Sequence, residues 1–103
     1  MSALVLPLKA EYFDAIRDGT KLEEYRLTTP FWSKRLVARR YDRIVLTKGY
    51  PKSSDIARRL ERPYRGYTLK TITHPHFGPD PVEVFAIDVS PGVVMANAPW
   101  AAP

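Results

Sequence analysis

The chain has 103 residues, 45% of them hydrophobic, and a formal net charge of +5. This length suits one compact domain that buries about two-thirds of the surface its unfolded chain exposes. Since cysteine is absent, disulfide bonds and thiolate metal sites are excluded, and two histidines are too few for a histidine-based metal cage. The apolar segment 1–8 is too short for a signal peptide or a membrane span, so we expect a cytoplasmic protein without a membrane partner.

The first helix is predicted over residues 9–18. Tyr12, Phe13 and Ile16 fall there at helical spacing on one apolar face. Gly19 follows, and a glycine in this position commonly adopts the left-handed conformation that ends a helix. The segments on either side of this helix are predicted to be extended, over residues 3–6 and 21–27.

The second helix is predicted from Pro30 to near Arg40. Thr29 is a suitable N-cap, and proline is well tolerated at the first helical position. The side chains expected to face inward from this helix are apolar: Phe31, Trp32 and Leu36.

The second half of the chain is predicted to contain two clear strands, 43–47 and 82–89, the latter with Phe85 and Ile87 on one face. Residues 67–74 form a third strand, whose uneven alternation would need a bulge. Weak helical character marks residues 55–61.

Residues 1–90 are therefore interpreted as a single domain and residues 91–103 as a C-terminal tail, which Trp100 could dock. About five short strands and one or two helices in so short a chain predict an α+β fold. Its expected form is a small, highly curved sheet or barrel with helices at its openings.

The most informative pattern is G-x-K-x-x-E-x-R over residues 19–26, which contains Lys21, Glu24 and Arg26. A helix that stops at a glycine and turns into a strand can direct charged side chains into the space between the two elements. The functional interpretation is a polar ligand site in that space. The structural alternative is a partly buried ion pair between Glu24 and Arg26, with Lys21 pointing to the other side of the strand unless the turn rotates it.

A second feature is the basic segment 34–65, where eleven Lys and Arg face only three Asp and Glu, a balance of +8. Such a segment can attract a phosphate backbone, although a solvated basic loop is the simpler alternative. Tyrosines lie among these charges, as expected where bases stack, and Tyr50 is a candidate ligand contact. The candidate nucleic-acid-binding residues are Lys48, Lys52, Arg58, Arg59, Arg62 and Arg65.

His74 and His76 lie two residues apart and would share a face in a strand. No third metal ligand is evident, and a turn between prolines explains both histidines more simply. We therefore expect no metal and no cofactor.

Several of these segments together resemble the ASCH domain, a branch of the PUA-like β-barrel superfamily. The resemblance rests on the motif at 19–26, the pair Phe31-Trp32 and the strands at 43–46 and 84–87, and it extends over most of residues 4–89. It implies a barrel of five to six strands and a charged cleft beside the first helix.

Members of this family are regarded as RNA-binding or nucleic-acid-processing modules. One branch hydrolyses N4-acylated cytidines with a lysine that matches Lys21, but it has threonine where this chain has Glu24. The resemblance thus implies the fold more firmly than the chemistry.

Two hypotheses follow. In the first, which we prefer, the chain is a nucleic-acid- or nucleotide-binding module, with RNA favoured over DNA. Arg26 would then meet a phosphate or carbonyl, and Glu24 would accept from an exocyclic amine. In the alternative, the chain is a small amidohydrolase of modified nucleosides, in which Lys21 is the base or nucleophile and Glu24 transfers protons.

Overall fold

A computed structural model describes residues 2–91 of the chain. This part contains six strands and two helices, and the helices separate the first three strands. Two short 3₁₀ turns, Ile56–Arg58 and Pro75–Phe77, precede the fourth and sixth strands. In chain order the elements are β1 (Ala3–Leu8), α1 (Ala10–Arg17), β2 (Glu23–Leu27), α2 (Pro30–Leu36), β3 (Arg43–Lys48), β4 (Arg59–Pro63), β5 (Tyr67–Ile72) and β6 (Val82–Asp88).

The strands form two three-stranded sheets, in the orders β1-β3-β4 and β2-β6-β5. β1 runs parallel to β3, and the other neighbouring strands are antiparallel. The predicted α+β class is confirmed. A closed barrel is not found among residues 2–91, because no ladder joins an edge of one sheet to an edge of the other.

The core lies where β1, β3, β6 and α1 meet. β1 alternates so that Leu4, Leu6 and Leu8 are buried, as expected for a strand with one covered face. α1 contributes Phe13 and Ile16, which confirms the predicted apolar face. The same cluster includes Leu36, Ile44, Leu46, Phe85, Ile87 and Val89.

The second helix begins as predicted and ends early. Thr29 Oγ1 accepts a hydrogen bond from Trp32 N at 3.4 Å and Pro30 is the first helical residue, so the predicted cap is confirmed. The helix stops at Leu36 instead of near Arg40. Ala38 has a φ of 57°, a left-handed conformation that cannot continue a right-handed helix.

Two predictions in the second half were wrong. Residues 55–61 are not one helix, because after the 3₁₀ turn the chain extends as β4 and pairs with β3 from Arg59 to Pro63. β5 contains no bulge, since it pairs with β6 without interruption from Tyr67 to Ile72. β5 lies at the edge of its sheet, which allows Leu69 to remain 58% exposed.

The described chain ends in a hydrogen-bonded cluster beyond β6. Arg65 Nη1 donates to Ser90 Oγ at 2.9 Å, and Asp88 Oδ1 accepts from Ser90 N and Oγ at 2.9 and 2.7 Å. Burial raises the pKa of Asp88, but the Ser90 hydrogen bonds and the Arg65 charge outweigh it, so the pKa lies below its ordinary value. The predicted tail lies outside the described residues beyond Pro91. Within 2–91, no helix is long and apolar enough to cross a membrane.

Candidate ligand-binding site

The turn after α1 determines where the motif places its charges. Gly19 has a φ of 82°, as predicted for the residue that ends the helix. Thr20 N and Lys21 N then both donate to Ala15 O, at 2.9 and 3.1 Å, which folds the chain back over the last helical turn. β2 begins only at Glu23, so Lys21 lies before the strand. The alternation of side chains between the two faces of a strand therefore does not determine where Lys21 points. The turn thus brings Lys21 to the same side as the carboxylate of the motif.

Glu24 is the centre of an ion cluster. It is 4% exposed, and its Oε2 accepts from Arg26 Nη1 at 2.6 Å. Its Oε1 lies 3.5 Å from Lys21 Nζ. Arg26 also donates to two carbonyl oxygens, from Nη1 to Tyr25 O at 3.0 Å and from Nη2 to Pro7 O at 3.1 Å. The guanidinium group is therefore held by the protein on both of its Nη atoms, and the ion pair of the structural interpretation is present.

Lys21 is bound less fully than Arg26. Its ammonium group lies 4.6 Å from the ring centroid of Tyr25 and 5.3 Å from that of Tyr12, within the range of cation–π attraction. An ammonium group has three donors, and Glu24 is its one ion-pair partner within residues 2–91. Arg26 uses three of its five N–H donors within the protein, whereas the Lys21 ammonium group makes one ion-pair contact in the described chain, at 3.5 Å. Lys21 is thus the less committed cation of the motif and the better placed to bind a ligand.

These three side chains line a cavity of about 450 Å³. Its volume lies within the range of small-molecule sites, which are mostly apolar with a few placed polar groups. The remaining walls come from α1, β2, α2 and the 3₁₀ turn at 75–77, and they are largely aromatic: Tyr12, Tyr25, Phe31, Trp32, His74, His76 and Phe77.

The cavity has a positive balance of charge. Glu24 is the sole carboxylate among the described residues that line it, whereas Lys9, Lys21 and Arg26 are cationic. Burial raises the pKa of Tyr12, as do Glu11 and Glu24, and burial with a hydrogen bond to Glu23 raises the pKa of Tyr25. Both phenols thus remain protonated at neutral pH.

The two histidines belong to this cavity. The ring of Tyr12 has its centroid 6.0 Å from that of His74 and 6.2 Å from that of His76, both edge-on. His74 Nδ1 accepts from His76 N at 3.1 Å, which fixes the 3₁₀ turn and occupies one possible metal ligand. No group of three metal-binding side chains occurs in the described part of the chain.

The predicted backbone-binding residues lie elsewhere, and none of the six lines the cavity. Several have partners inside the protein. Lys48 Nζ contacts Asp14 at 2.8 Å and Arg58 Nε contacts Asp55 at 3.1 Å. The others are placed differently: Arg62 Nη2 donates to Ile16 O, Arg65 binds Ser90, Arg59 lies on β4 and Lys52 is exposed.

Tyr50 also lies outside the cavity and is 92% exposed. Sequence reasoning missed most of the cavity wall. It placed Tyr12 on the apolar face of α1 and Trp32 facing inward; both pack against the core, but they are half-buried and also line the cavity. It explained His74 and His76 by a turn, whereas both line the cavity wall. The available signal was the density of aromatic residues with polar tips around the charged motif.

Comparison of the chain with protein-family models, curated proteins and solved structures found no match.

Proposed function

We propose that this chain is a binding module for nucleic acid, RNA in preference to DNA, or for a free nucleotide, and that the cavity beside α1 receives one base. The observation that carries this proposal is the combination of aromatic walls with the Lys21 ammonium group in one cavity of about 450 Å³. A base offers a planar face for stacking, and a sugar phosphate offers an anion.

The aromatic walls support a planar ligand. Trp32 and Tyr12 are half-buried, so each keeps part of its ring accessible, and they line the cavity from two different helices. Arg26 Cζ lies 5.1 Å from the Trp32 ring centroid, which holds that ring against a fixed charge. Stacking of one base on such side chains contributes about 1 to 3 kcal/mol.

The ion cluster divides the polar tasks. Arg26 binds Glu24, and Glu24 lies 3.5 Å from Lys21. This contact leaves N–H donors of the Lys21 ammonium group for a ligand. Lys21 therefore meets the phosphate or a base carbonyl. Glu24 Oε1 retains acceptor capacity for an exocyclic amine, because each carboxylate oxygen can accept about two hydrogen bonds.

We also propose that the two sheets represent the PUA-like architecture of the ASCH domain, in a form that is not closed by hydrogen-bonded ladders. Support comes from the motif between α1 and β2, and from a cavity beside the first helix. A cytoplasmic location is part of the same proposal.

The test uses Trp32 as the reporter. The chain has two tryptophans, so the Trp100→Phe protein reports on Trp32 alone. Titration with the four nucleoside monophosphates and with a short single-stranded RNA should quench its fluorescence to saturation. The matched Trp32→Phe protein should show no such change, and an unresponsive Trp32 in the presence of every probe would reject the proposal.

The second candidate is the amidohydrolase of N4-acylated cytidines. One observation favours it, the amine of Lys21 lying 3.5 Å from the Glu24 carboxylate inside a concave site. However, the described lining offers no second carboxylate to share the proton transfers. Release of cytidine and acetate from N4-acetylcytidine, lost in Lys21→Met, would select this candidate over the binding module.

A further inference from the structure

We propose that a second depression beside the cavity is the subsite for the adjacent nucleotide of a single strand, with Tyr50 as its stacking surface and Arg35 as its phosphate contact. This inference rests on the proposed function and specifies the ligand as a polymer. The depression has a volume of about 580 Å³, comparable to that of the cavity itself.

The two spaces are continuous through a shared wall. Arg26, Phe31, Trp32 and Pro7 line both of them. A strand whose base stacks in the cavity can therefore leave across this wall into the depression, without passing over the remaining protein surface.

Exposed aromatic rings distinguish this surface. Among the large apolar side chains that are at least half exposed in residues 2–91, the two aromatic ones are Phe31 at 54% and Tyr50 at 92%, and both line the depression. Exposed aromatic faces are the usual platform for bases of single-stranded nucleic acid, because every base has a π-face.

The position of Tyr50 is fixed by the turn that precedes it. Gly49 has a φ of 66°, its N donates to Leu8 O at 2.9 Å, and its carbonyl oxygen accepts from Thr47 Oγ1 at 2.8 Å. These bonds anchor the turn to the ends of β1 and β3. The anchored turn thus presents the Tyr50 side chain to solvent.

The charge of the depression matches a phosphate backbone. Its lining in the described structure includes Arg26 and Arg35 and no carboxylate. Arg35 Cζ lies 3.5 Å above the Phe31 ring centroid, and one nitrogen donates to Phe31 O at 3.0 Å. The guanidinium group has five N–H donors, so others remain for a phosphate oxygen.

The experiment compares the nucleoside monophosphate that binds best with the 5′-phosphorylated dinucleotide of the same base. In the wild type the dinucleotide should bind at least about fivefold more tightly, the gain expected from one stacked base. Tyr50→Ala should lose this gain and keep the affinity for the monophosphate, whereas Ile56→Ala, which removes another side chain that is mostly exposed, should keep both. Arg35→Met should reduce the salt dependence of dinucleotide binding.

Equal affinity for the two probes in the wild type, or a gain that persists in Tyr50→Ala, would overturn the subsite. If Tyr50→Ala instead changes the sedimentation coefficient from that of a dimer to that of a monomer while the gain persists, the surface is a contact between copies of the chain and the proposal is wrong. Absence of binding by both probes would reject the proposed function together with the subsite. Binding of the monophosphate without a gain would reject the subsite alone.

Discussion

The ion cluster around Glu24 should contribute strongly to the stability of the fold, and Glu24→Gln tests this. The Glu24 side chain is 6% exposed, and its partners Lys21 and Arg26 are 16% and 17% exposed. Removal of one partner from a buried ion pair costs about 3 to 5 kcal/mol, because the remaining charges stay desolvated. Gln retains one acceptor oxygen, and Arg26 keeps its two carbonyl partners, so we expect a loss of about 2 to 3 kcal/mol.

The adjacent residue provides the matched control. Glu23 contacts Lys70 at 2.8 Å, but the Lys70 side chain is 45% exposed. Exposed ion pairs contribute about 0 to 1 kcal/mol, so Glu23→Gln should change stability little.

Urea unfolding measures both variants. The free energy of unfolding is extrapolated linearly to water. In a separate thermal unfolding experiment, the midpoint of Glu24→Gln should fall by about 10 to 20 °C for a domain of this size. If Glu24→Gln and Glu23→Gln differ by less than about 0.5 kcal/mol, close to the scatter of surface substitutions, Glu24 is not the electrostatic centre of the fold.

Three further outcomes are expected. Phe85→Ala should lower the free energy of unfolding in urea by about 2 to 5 kcal/mol, because Phe85 is 2% exposed. Leu69→Ala, at the exposed position that pairs with Phe85, should lower it far less, and equal losses would contradict the assigned core. The folded pKa of Asp88 lies below its ordinary value of 3.8, so its carboxylate contributes stability that is present above the unfolded pKa and lost as pH falls through the folded pKa. Asp88→Asn should thus lower the thermal midpoint at pH 7, and this loss should shrink as pH falls through the folded pKa; a loss independent of pH would refute the assignment. Lys52→Glu should make the slope of log affinity for single-stranded RNA against log salt shallower by about 0.7, the contribution of one phosphate contact, whereas an unchanged slope would exclude Lys52 from the contact.

Local patterns predicted the parts of the fold that depend on neighbouring residues. Gly19 ends the first helix, and Thr29 caps the second, because both effects act within a few residues of the chain. The spacing of Glu24 and Arg26 likewise predicted a pair on one side of the strand. The side on which Lys21 lies was left open by the spacing, and the turn after Gly19 decides it.

Long-range pairing decided the rest. Residues 55–61 have weak helical character, yet the chain extends from Arg59 because β3 offers a ladder to pair with. The cavity wall combines Tyr12 with His74, whose rings meet only because α1 and the turn before β6 pack side by side. The sequence spacing of the two residues contains no signal for such a contact.

The most direct measurement of the central hypothesis is the affinity of a nucleoside monophosphate for the wild type, for Lys21→Met and for Lys34→Met. Lys21 lines the cavity, whereas Lys34 is exposed on α2 and does not. Loss of a hydrogen bond from a charged donor costs about 1.5 to 3 kcal/mol. Isothermal titration calorimetry should therefore show a Kd at least about tenfold higher for Lys21→Met than for the wild type, and an unchanged Kd for Lys34→Met. Equal affinities in all three proteins, or a wild type that binds no monophosphate, would contradict the assignment of this cavity as the ligand site.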